Sequence, residues 1–150
     1  MAKPFHLQPL VELAQERSQA AAQNLARLKG LWQEAENKLS QLQNYLREYQ
    51  DRLHRQSQSG LTALQWRDYQ AFMHKLELAI KAQAQEIERC IRAWEAGQAE
   101  WQACERELKA YQTLRQRHDE EERKRDARQD QRLQDEFARS QHYRKNAVQE

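Results

Sequence analysis

Apolar residues of this chain recur in alternating steps of three and four without an error at Leu25, Leu28, Trp32, Ala35, Leu39, Leu42, Leu46, Tyr49 and Leu53. That spacing lays them on one stripe of an α-helix, and a sustained seven-residue repeat selects a left-handed supercoil against a partner helix. The same period runs backwards, more thinly, through Ala21, Ser18, Ala14, Val11 and Leu7. A second stripe follows at Trp66, Tyr69, Met73, Leu76, Ile80, Gln83, Ile87, Cys90, Trp94, Gly97, Trp101, Cys104, Leu108 and Tyr111, where only Gln83 and Gly97 depart from bulky or apolar character.

Between the stripes lies Gln56-Ser57-Gln58-Ser59-Gly60, the one turn-favouring cluster after the N-terminus. Thr62 and Gln65 then have capping-box spacing, and Leu61 and Trp66 are placed for a hydrophobic staple. Both prolines, Pro4 and Pro9, fall in the first ten residues, so nothing later forbids a helix. With seven Val, Ile and Thr against 17 Leu, 20 Ala and 23 Gln, a sheet is excluded. The expected fold is all-α: a single coiled-coil domain over 1–150 in which two long helices form an antiparallel hairpin. Helix 1 covers about 9–57, the turn about 58–61, helix 2 about 62–140, and a C-terminal tail 141–150. Helix 1 is roughly 70 Å long and helix 2 roughly 115 Å, so the second overhangs the first.

A turn centred near residue 58 makes facing residue numbers total about 115 to 118. The lower value pairs Tyr49 with Trp66, Leu42 with Met73, Leu39 with Leu76, Leu28 with Ile87 and Leu25 with Cys90. It also sets Trp94 on Ala21, Trp101 on Ala14 and Gly97 on Ser18, and this match of large to small selects it over a register one heptad away.

Several functions are disfavoured. Only 39% of residues are hydrophobic and 32% are charged, so a large core enclosing a cleft is not expected and neither is catalysis. Gly30, Gly60 and Gly97 are scattered and no phosphate-binding loop exists. The five histidines and two cysteines lack zinc-ligand spacing, which implies no metal and no cofactor. Cys90 and Cys104 are roughly 21 Å apart along one helix, too far for a disulfide. A net charge of +2 supplies no field for nucleic acid, and Asp119 to Glu122 interrupts the basic run that a zipper-type DNA binder needs. No apolar run spans a membrane, and the first residues lack the apolar stretch of a signal peptide, so a cytoplasmic location is expected.

What remains is surface. Tyr45 and Phe72 each precede a seam residue, as do Lys38 and Ala79 one heptad away. Such flanking positions face each other in an antiparallel pair, so Tyr45, Phe72 and Ala79, with Leu42, Tyr49 and Leu76 at the seam edge, form an apolar ledge suited to a partner. Residues 115–132 carry seven basic and six acidic side chains, which can support an isolated helix through pairs such as Glu121 with Arg125. Leu133, Phe137 and Tyr143 beyond it have no internal partner in this reading.

The residues of the ledge also carry a family resemblance. Ala35-Glu36, Leu39, Leu42, Tyr45 and Glu48-Tyr49, then Gly60, Trp66, Tyr69-Gln70, Phe72, Leu76-Glu77 and Ala79-Ile80, and finally Asp135-Glu136-Phe137-Ala138 together resemble the FliJ family of flagellar export proteins over roughly residues 1–140. The resemblance implies a non-enzymatic component of the flagellar type III export apparatus, similar to the coiled-coil stalk of rotary ATP synthases. It implies binding to the hexameric export ATPase FliI, with its regulator FliH, and promotion of ring assembly. It further implies a link to the membrane export gate FlhA and an escort role for export chaperones. The protein would be a monomer, peripherally associated with the inner membrane and not inserted in it. By the same resemblance the gate-binding residues are Lys38, Leu42, Tyr45, Tyr49, Phe72, Leu76, Ala79 and Gln83. Lys38 stands where the family has a neutral polar residue. The ATPase-contacting residues are Leu7, Leu10, Tyr111, Leu114 and Phe137. Two other readings stay open: the stalk protein of a virulence type III injectisome, and a structural coiled-coil adaptor that dimerises.

Overall fold

The computed structural model describes residues 3–149. It contains two α-helices packed against each other, α1 (Gln8–Ser59) and the longer α2 (Ala63–Gln149). α1 starts where Leu7 O accepts from the amides of Leu10 and Val11, and Pro9 sits in the first turn, where its missing N–H costs nothing. Every predicted seam position of α1 from Val11 to Leu53 is buried or half-buried. The fully enclosed side chains are few, with Val11 at 0% exposure, because a stripe facing one other helix keeps its edges in water.

The turn is shorter than expected. Ser57 and Ser59 remain helical, their hydroxyls donating to the carbonyls of His54 and Gln56 inside the last turn of α1. The break spans Gly60–Thr62 and opens at Gly60, whose φ of +97° favours glycine. Thr62 then caps α2 as predicted: Gln65 N donates to Thr62 Oγ1 at 3.2 Å and Thr62 N to Gln65 Oε1 at 3.1 Å. α2 continues through 141–149, so the expected tail is helical there; residue 150 lies outside the described residues.

The chain forms two compact units, Gln19–Ala103 and Met1–Ser18 with Cys104–Glu150. In the first, the register departs from the predicted one. Trp94 meets Trp32, ring centroids 5.5 Å apart, and not Ala21. Gly97 lies against Leu28 and Leu25, not Ser18. Cys90 Sγ is 4.0 Å from Leu31 O, and Tyr49 meets Tyr69 and Phe72 while Trp66 is left 48% exposed. The displacement centres on one heptad, because Gln58 and Ser59, expected in the turn, stay helical and move the centre of the reversal from near residue 58 to Gly60–Thr62, each residue of shift changing the facing partner by two. A slip of seven leaves every residue on its predicted face and changes only its neighbours along the axis. Large still meets small at Gly97, where the leucines of α1 fill the space over it, but the predicted match of Trp94 to a small residue is replaced by the Trp94–Trp32 pair.

In the second unit the buried Ser18 hydroxyl donates to the Glu105 carboxylate, and Arg17 lies 3.9 Å from Glu107. The seam of α2 runs on past Tyr111 through Arg115, His118 and Glu122, all half-buried. From Arg123 to Gln149 every side chain is exposed. The expected Glu121–Arg125 pair is replaced by Glu122–Arg125 at 3.5 Å, one residue closer.

Candidate functional site

The ledge is built in the unit Gln19–Ala103. The Tyr49 ring stacks on Phe72 with centroids 4.2 Å apart and 28° between planes, and Tyr69 meets it edge-on at 5.5 Å. Such contacts contribute about 0.5–1.5 kcal/mol each beyond area burial, so these rings are held in place before any partner arrives. Tyr45 is 55% exposed and Lys38 is exposed. Leu42, Tyr49, Phe72 and Ala79 are half-buried, whereas Leu76, at 9%, lies in the core beneath them. Gln83 is committed: its Nε2 donates to Ala35 O at 2.9 Å across the seam. The eight expected gate-binding positions thus divide into exposed groups, a half-buried aromatic edge, and two residues that support it from below.

Sequence reasoning missed Gln56, whose Oε1 accepts from the Tyr69 hydroxyl and steadies the aromatic group from the last turn of α1. Gln56 occupies a seam position one heptad after Tyr49, a signal obscured by reading the Ser-rich stretch as turn.

In the unit Met1–Ser18 with Cys104–Glu150, Leu7 and Tyr111 are half-buried, while Leu10 and Leu114 are 38% and 41% exposed. Phe137 is 65% exposed and lies roughly 28 Å along α2 from His118, so the structure does not bring it to the other four. A contact absent from the sequence reading pins the N-terminal segment: His118 Nε2 lies 2.8 Å from Lys3 O, with the Phe5 ring 5.5 Å from the His118 ring. Phe5 is the residue that could have signalled it, being the one Phe, Tyr or Trp upstream of α1.

Among the described residues no cluster of His, Cys, Asp and Glu could hold a metal ion, and no helix is long and apolar enough to cross a membrane. Cys90 and Cys104 are not joined in a disulfide. Apolar and aromatic groups are gathered along a flank of paired helices, so the molecule belongs with helical coiled-coil proteins.

Comparison with known proteins narrows that class. The family model described as flagellar FliJ protein matches residues 3–147. The flagellar FliJ protein of Escherichia coli (strain K12) is 31% identical over 138 residues, covering 92% of this chain and 94% of that protein. Its counterpart in Salmonella typhi is 30% identical over the same shares. No solved structure matches. The chain belongs to the flagellar FliJ protein family, and is a component of the flagellar export apparatus. Members of that family are structural export components, generally without enzymatic activity.

Proposed function

We propose that this protein is the non-enzymatic coiled-coil stalk of the flagellar export apparatus, which binds the export ATPase FliI, promotes assembly of its ring and docks on the gate protein FlhA through the aromatic ledge. The observation that carries the gate assignment is the Tyr49–Phe72 stack with exposed Tyr45 beside it: rigid aromatic rings lose little freedom on docking and supply the large apolar area typical of binding hot spots. The ATPase contact falls to the unit holding Leu7, Leu10, Tyr111 and Leu114 together with the exposed residues up to Phe137. Mixed charge on a single exposed helix suits a polar, exchangeable contact. Escort of export chaperones and a cytoplasmic position at the inner membrane, reached through the apparatus, complete the proposal.

Separate binding measurements test it. With the cytoplasmic domain of the gate, Tyr45→Ala weakens binding at least tenfold while helicity stays unchanged, since a central aromatic anchor is worth about 2 kcal/mol or more. With the ATPase, the same variant binds like the wild type. Loss of helicity together with gate binding would make Tyr45 a structural residue and remove the assignment.

A further inference from the structure

Beside the ledge, toward the turn, lies an open groove of about 240 Å³ lined by Tyr49, Gln56, Gln65, Asp68 and Tyr69. It shares Tyr49 with the ledge, and Gln65 precedes Phe72 by one heptad on the same flank of α2, so groove and ledge form one continuous surface. Its polar walls are largely committed: the Gln56 Oε1 accepts from the Tyr69 hydroxyl, and the Gln65 Oε1 accepts from the Thr62 amide. The Asp68 carboxylate is exposed and makes neither a hydrogen bond nor an ion pair. An unmatched carboxylate beside two tyrosine rings is complementary to a cation on an alkyl stem, which gains a charge-assisted contact at its head and cation–π attraction along the ring faces.

From this arrangement we infer that the groove receives a lysine or arginine side chain of the docking partner, with Asp68 as its counter-ion. The inference rests on the reading of the ledge as the gate-docking surface and adds a charge-specific subsite to it. Asp68 therefore sets which sequences dock, while Tyr45 and Phe72 supply most of the affinity.

The test is titration of the gate's cytoplasmic domain with the full chain over a series of salt concentrations. Asp68→Asn is expected to weaken binding about twofold to fivefold and to flatten the salt dependence, because the substitution removes a partly exposed charge contact and leaves the tyrosine rings in place. Asp68→Glu restores both the affinity and the salt slope, and Asp68→Lys weakens binding further. A side chain this exposed leaves helicity unaffected in all three. Unchanged or tighter binding by Asp68→Asn, with Tyr45→Ala still defective, overturns the subsite and leaves the ledge standing. Full binding by both variants removes the ledge reading itself.

Discussion

Gly97→Ala is expected to destabilise this chain even though alanine is the better helix former. A Cβ at position 97 would sit 2.7 Å from Leu28 Cδ1 and 3.7 Å from Leu25 Cδ1, the first well inside normal carbon–carbon contact. Alanine gains about 1 kcal/mol of helix propensity over glycine, while forcing a methyl into a filled seam costs about 1–3 kcal/mol. The net effect in the wild type is a loss of up to about 2 kcal/mol. Replacing Leu28 by alanine removes the obstructing methyl, so in that background Gly97→Ala becomes stabilising by about 1 kcal/mol, about 2–4 °C for a chain of 150 residues. The sign reversal is the signature of direct contact, a coupling of about 1–3 kcal/mol in a double-mutant cycle read by urea denaturation and far-ultraviolet circular dichroism. If Gly97→Ala stabilises equally in both backgrounds, Leu28 does not lie over Gly97, and the register described above is wrong.

Removing the cap with Thr62→Ala should cost about 1 kcal/mol in the same denaturation experiment, and restoration by Thr62→Ser would confirm that the hydroxyl, not the methyl, is responsible. Val11→Ala should cost about 1.5–2.5 kcal/mol because two methyls leave a fully enclosed site. Truncation after Glu122 removes, among the described residues, only exposed side chains and should leave stability within about 0.5 kcal/mol of the full chain while weakening stimulation of the export ATPase. Undiminished stimulation would take Phe137 and its surroundings out of the ATPase contact.

The sequence makes faces legible and axial position illegible, for a physical reason. Steps of three and four residues identify Leu39, Leu42, Leu76 and Ile80 as seam residues, because a helix has only one stripe with that spacing. The same periodicity is unchanged by a slip of seven residues, so the pairing of Trp94 must be fixed by the turn. The turn was obscured because serine and glutamine favour loops on average, yet here the hydroxyls of Ser57 and Ser59 bond back into the helix and the chain leaves it at Gly60. The capping box was readable because its two hydrogen bonds depend on local spacing alone. The continuation of the seam through Arg115, His118 and Glu122 was not, since polar side chains at those positions read as solvent-facing until the N-terminal segment with Lys3 and Phe5 is laid over them. Tyr45 and Phe72 were identified from their flanking positions, but the commitment of Gln83 to Ala35 O required coordinates.

The ledge exists only if one chain folds back so that residues distant in sequence share a flank. Spin labels at the exposed positions 38 and 86, in a chain with Cys90 and Cys104 replaced by alanine, test this directly by double electron–electron resonance. A hairpin sets these positions across adjacent helix axes about 8–10 Å apart, giving a short distance that persists when labelled protein is diluted with excess unlabelled chain. A peak near 70 Å, expected when 38 and 86 lie along one uninterrupted helix, or a short peak that disappears on dilution, would contradict the folded-back arrangement and the ledge with it.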